Sequence, residues 1–138
     1  MTVPLPAPWV ETFDGARQND EKLAQQFPIG PTQHAALAWT APTLLNSWVN
    51  YDAANFSNAG YVKDNEGFVH LRGVVGSGVA ATVFTLPSGF RPARRAIFSV
   101  VGNDLFARVD VATTGDVVVI VGAGGTLLQL DGITFDTR

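Results

Sequence analysis

Two histidines, a scatter of aspartates and one aromatic-rich segment are the residues with which this chain could do chemistry. His70 sits in "GFVHLRGVVGSG", residues 67–78, with Arg72 two positions on, while His34 lies in a proline-rich stretch upstream. A general base at His70 needs a nucleophile or carboxylate delivered from elsewhere in the fold. No G-x-S-x-G surrounds any serine, so nothing at motif level supports a catalytic triad. His34 has no partner at ligand spacing, and the absence of cysteine removes thiolate metal sites and disulfides together. Asp52, Asp64, Glu66, Asp104, Asp110, Asp116, Asp131 and Asp136 fall mostly at expected turns, where Asp bonds the local backbone. An acid pair for glycoside hydrolysis would have to be assembled by the fold. "DNEG" at 64–67 starts like a calcium loop but lacks the further ligands and closing Glu, and reads as a turn. The expectation is a non-enzyme with no catalytic residue, metal or cofactor.

Gly73, Gly76 and Gly78 do not match G-x-G-x-x-G, and no lysine and hydroxyl follow at P-loop spacing. The segment after Gly78, "VAATVFTLP", reads as a strand, where a phosphate site wants a helix N-terminus. These glycines, like "GAGG" at 122–125, therefore read as hairpin connections. "RPARR", with Arg91, Arg94 and Arg95, is a basic cluster in a chain of net charge −3. It reads as a solvated strand entry or as ion pairs between subunits, since the arginine fork meets carboxylates well, and after these as a site for an anionic sugar or teichoic acid. Nucleic-acid binding wants a basic stripe, and a membrane-spanning helix wants ~20 apolar residues; neither pattern occurs. Binding chemistry is offered instead by "NSWVNYDAANFSNAGY", residues 46–61, which sets Trp48, Tyr51, Phe56 and Tyr61 among amides and a carboxylate. Ring faces that stack and polar groups that fix hydroxyls are what a sugar site uses. Trp48, Asn50, Tyr51, Asp52 and Tyr61 are the glycan candidates; the competing reading makes Trp48 and Tyr61 core anchors.

The elements that must position these groups divide the chain in three. Residues 1–27 hold an extended arm, "MTVPLPAP", followed by a short helix from Asp14 to Gln26, capped by Asp14 and stopped by the prolines and glycine at 28–31. Ala16, Leu23 and Phe27 make its thin apolar stripe, suited to attachment or oligomerisation. Residues 28–46 form a Pro-rich connector, and 47–138 form a β domain with strands expected at 47–52, 59–63, 67–75, 79–86, 95–101, 105–112, 116–121 and 126–135. Eight short runs with frequent turns indicate a mainly β fold, a β-sandwich or jelly roll. Leu105, Ala107, Val109 and Val111 alternate with Phe106, Arg108 and Asp110, as in a half-buried strand. "VVVIV" at 117–121 is apolar on both faces, and no charge occurs from Val117 to Leu130. Charged residues make up only 15% of the chain, so part of the surface is expected to be covered by other copies; the 117–121 strand belongs at the centre of a trimer or under another layer, and Val117, Val119, Val121 and Leu128 are the candidates for a subunit contact.

In order, "LLNSWVNY", "GYVKDNEGFVHLRG", "TLPSGFRP", "ARVDVATTGDVVVI" and "LQLDGITF" resemble the β-structured end domain of bacteriophage tail proteins, over about residues 44–138. Minor tail proteins and the head domains of tail fibres and receptor-binding proteins share this pattern. The resemblance implies a homotrimeric structural virion protein at the tail tip or fibre, assembled in the host cytoplasm and contributing to attachment to host saccharide. It implies other virion proteins as partners through the N-terminal arm, and no catalysis. Its matched positions, Gly67, His70, Leu71, Gly73, Leu86, Pro87, Gly89 and Pro92, are framework and carry no ligand site. The alternatives are a capsid decoration or head-fibre protein of the same fold, then a carbohydrate-binding module or a glycan-degrading enzyme.

Overall fold

The computed structural model describes residues 37–122 and 127–138. The expected arm, the helix at 14–26 and the interface candidates Ala16, Leu23 and Phe27 lie outside the described residues. The compact unit that carries every described strand is Leu37–Arg138. It takes in the last part of the expected connector: Thr40 and Tyr61 exchange backbone hydrogen bonds of 2.9 Å, and Leu45 N–H donates to the Val83 carbonyl at 2.8 Å.

Among the described residues ten strands follow in chain order: β1 Val49–Asn50, β2 Gly60–Lys63, β3 Phe68–Arg72, β4 Val74–Gly76, β5 Thr82–Thr85, β6 Ala96–Gly102, β7 Leu105–Val111, β8 Asp116–Val121, β9 Leu128–Gln129 and β10 Thr134–Asp136. They make a seven-stranded sheet, β1-β4-β9-β6-β7-β8-β5, and a three-stranded sheet, β10-β3-β2. The mainly β, sandwich-like expectation is met. The expected strands 67–75 and 126–135, however, each break in two, and the halves join different sheets.

Both breaks occur at one corner. Gly73, at φ +108°, turns the chain from β3 into β4, and Gly132, at φ +89°, lies between β9 and β10. Leu130 N–H donates to the Gly73 carbonyl at 2.8 Å, and Asp131 Oδ1 accepts from Gly73 N–H at 2.7 Å. Two antiparallel segments thus change sheet side by side, each satisfying the other's freed backbone groups. A Cβ on Gly73 would stand 2.6 Å from the backbone of Asn58 and Ala59, so position 73 is glycine for space as well as for dihedral.

One cluster of buried residues draws on both sheets, among them Val69, Leu71 and Phe135 from the small sheet and Phe84, Val109, Val117 and Leu128 from the large one. Val117, Val119 and Leu128 are at most 2% exposed within the single chain. This corrects their assignment to a subunit contact: the protomer's own core already covers them, and only Val121, 49% exposed, stays available. Trp48 is likewise a core residue at 4% exposure, lying over Gly78 and donating from Nε1 to the Val79 carbonyl at 3.1 Å. The β6–β7 hairpin turns on Asn103 and Asp104, at φ +51° and +63°, the mirror-image geometry that matches strand twist. Its mouth leaves Leu105 exposed, although the alternation placed it on the core face.

Candidate functional site

The aromatic-amide segment becomes a hydrogen-bonded loop between β1 and β2. Asp52 organises it: Oδ1 accepts from Ala54 N–H at 3.1 Å, Oδ2 from the Asn55 side-chain amide at 2.7 Å, and its carbonyl from Phe56 N–H at 2.8 Å. The Asn55 amide and then the Ala54 N–H hold the Asp52 carboxyl below its ordinary pKa. Asn50 Oδ1 accepts from Ala59 N–H at 2.8 Å and closes the base of the loop. Tyr61 packs beside Phe84 and edge-on to Phe90, against the core. The five glycan candidates are therefore not brought together as one site. Trp48 and Tyr61 serve the interior, which corrects their candidacy, while Asn50 and Asp52 hold the backbone of the loop. What they hold out is Tyr51 and, beside it, Phe56: both rings are exposed, with centroids 5.6 Å apart and planes inclined by 53°.

His70 acquires the partners that the sequence could not assign. Its Nε2 lies 2.8 Å from Asp64 Oδ2, and its Nδ1 lies 2.9 Å from Thr134 Oγ1 across the β3–β10 pair. His70 is the first cause holding the Asp64 carboxyl below its ordinary pKa, followed by the N–H groups of Phe68 and Glu66. Asp64 Oδ1 accepts those two N–H groups at 3.0 and 2.9 Å, so "DNEG" is a hydrogen-bonded turn, with Gly67 at φ +93°. Hydroxyl, imidazole and carboxylate stand in the order of a nucleophilic relay. Catalysis by such a relay also needs donors aimed at a developing oxyanion and a held substrate. What the three groups do on this face is tie β10 to β3 and to the 64–67 turn.

The outer face of β6, β7 and β8 is the third feature. Register places Ile97 beside Asp110 and Val118, Ser99 beside Arg108 and Val121, and Val101 beside Phe106. Ile97, Val101 and Phe106 are 62%, 43% and 60% exposed, and a bulge after Arg108 turns both Ile120 and Val121 outward. Asp110 sits among them with no exposed surface, because Arg95 Nε closes on Oδ2 at 2.7 Å and Arg108 Nε on Oδ1 at 2.8 Å. Arg108 first and Arg95 second hold the Asp110 carboxyl below its ordinary pKa against the opposing effect of burial. Within "RPARR", Arg95 thus pairs inside its own chain, as does Arg91, which donates from Nε to the Leu86 carbonyl at 2.9 Å. Sequence alternation marks Phe106 and Arg108 as outward but gives no sign that Asp110 is covered.

Among the described residues, no group of three His, Asp or Glu side chains is placed to hold a metal ion. No helix among them is long and apolar enough to cross a membrane. No protein-family model matches the chain, and no curated protein matches it in sequence. The likeness is structural: across 100% of this chain and 88% of the other, with a TM-score of 0.67 and 23% identity, the fold is similar to the crystal structure of the receptor-binding protein (gp15) of Listeria phage PSA.

Proposed function

We propose that this chain is a host-attachment protein of a tailed bacteriophage: a structural virion component at the tail that binds saccharide on the host surface and catalyses no reaction. The observation that carries this reading is the whole-chain likeness to a phage receptor-binding protein, found independently of the sequence resemblance to phage tail domains. Three copies associate through the outer face of β6–β8, whose exposed Ile97, Val101, Phe106, Ile120 and Val121 are more apolar than a water-facing sheet tolerates. The covered Asp110 supports this, since its charge is neutralised before any partner arrives. The N-terminal arm, residues 1–27, docks on other virion proteins. The inclined Tyr51 and Phe56 rings stack on sugar faces, and trimerisation multiplies a weak site by avidity.

The purified full-length chain, added to host cells before phage, tests the reading. Blocked adsorption is expected, together with a light-scattering mass three times that of the chain. Protein that binds the cells of no susceptible host overturns it. Tyr51→Ala is expected to weaken cell binding at least about tenfold with an unchanged melting temperature, because its ring is exposed and holds up no core.

A further inference from the structure

Most arginines of the described region have an acceptor: Arg91 on the Leu86 carbonyl, Arg95 and Arg108 on Asp110, and Arg138 on Asp136. Arg94 is exposed. Arg72 is different. Its side chain is half-buried, its Nε is covered and has no hydrogen-bond partner among the described residues, and its guanidinium carbon lies 4.5 Å from the centre of the Trp39 ring. The stack is built from both sides. Gly60 is the cross-strand partner of Arg72, and a Cβ there would come within 3.2 Å of Nε, so the missing side chain lets the arginine lie against the backbone. The Thr40–Tyr61 bridge fixes the residue next to Trp39.

The acids around this point are occupied. Asp64 accepts from its own turn and faces His70, and Asp131 accepts from the Gly73 N–H next in sequence to Arg72. Among the described residues the terminal nitrogens of Arg72 have no acceptor either, and they are not among the covered atoms left without a partner. A cation pre-oriented on an aromatic face, with an unused fork of donors, is built for a planar or tetrahedral oxyanion. A buried N–H of such a group without a partner asks for a functional explanation.

We propose that the Trp39–Arg72 stack is a binding site for an acidic group, phosphate or carboxylate, carried by a surface saccharide. The attachment reading above supplies only the source of that group; the oxyanion site stands on its own geometry. The loop with Tyr51 and Phe56 runs directly into Gly60, so one chain segment bears the stacking rings and the floor of the anion site.

Side-chain nitrogen NMR of the full-length chain tests this through the Arg72 Nε–H resonance, assigned by its disappearance in Arg72→Gln. Glucose 6-phosphate or glucuronate is expected to move it saturably, at a concentration at least about tenfold below any effect of glucose. Trp39→Ala is expected to raise that concentration several-fold; Arg72→Lys, which keeps charge, loses the fork and no longer carries the Nε–H, is followed by the Trp39 indole N–H resonance instead and is expected to raise it as well. Inorganic phosphate acting as strongly as glucose 6-phosphate supports the site and identifies free phosphate as a sufficient ligand; a stronger phosphosugar places the source on a saccharide. A resonance unmoved by both acidic probes overturns the proposal. So does a fall in oligomer mass in Arg72→Gln, which would make a neighbouring copy's carboxylate the occupant. Failure to block phage adsorption with anion binding intact would count against the attachment reading alone.

Discussion

The two sheets share one core but present opposite outer faces. On the large sheet, β6–β8 carry Ile97, Val101, Phe106, Ile120 and Val121 outward, and their one carboxylate, Asp110, is enclosed by two arginines. On the small sheet, β3 and β10 carry His70, Arg72, Thr134 and Asp136 outward, with Val62 of β2 covered beside them. Charge is neutralised inside the first face, whereas on the second the Arg72 guanidinium keeps no carboxylate among the described residues. Desolvating an unpaired charge is costly, whereas covering apolar area is favourable. The first face is therefore suited to burial against copies of the chain and the second to water and polar ligands.

The most damaging way to break this arrangement is at the corner that links the sheets. Gly73→Val combines a φ of +108° with a collision on the Asn58–Ala59 backbone, and is expected to cost more than about 3 kcal/mol by urea unfolding, both sheets being lost in one transition. Two separate transitions would show that the sheets are not one cooperative unit. Next is the apolar face: Phe106→Glu is expected to weaken self-association at least about 100-fold, read as a fall in mass, while His70→Gln leaves the mass unchanged. A larger effect from His70→Gln would exchange the roles of the two faces.

A smaller effect is expected from Asp110→Asn. The folded pKa of Asp110 is depressed by Arg108 and Arg95, so its ionised form stabilises the fold above the unfolded value of about 4, and that contribution fades as pH falls through the lower folded value. The variant should melt below the wild type at pH 7 and converge with it in acid. Smallest is Thr134→Val, which removes one partner of His70 at an exposed position and should cost about 1 kcal/mol or less.

Strand positions were legible because alternation and turn residues act locally. The expected 59–63, 105–112 and 116–121 differ from β2, β7 and β8 by a residue at most at either end. The breaks at Gly73 and near Gly132 were not legible, since a glycine inside an apolar run can mark a bulge, a bend or a close approach, and only its neighbour across the corner decides which. The candidate site divided in the same way. Tyr51 could be picked out as an aromatic among amides, but Trp48 fits that description equally well and is buried. Trp39 carried no signal at all, because its stacking partner lies on a strand more than thirty residues away.

By itself the sequence determined a mainly β unit, the inward Ala107, Val109 and Val111 of β7, and turns such as 64–67 whose hydrogen bonds close within a few residues. Only the tertiary structure decided which half-strands share a sheet, which carboxylate is enclosed, and which outward residues gather into an apolar face or an unpaired guanidinium. The period of a strand is a property of neighbouring residues, whereas burial and pairing depend on segments brought together from distant parts of the chain.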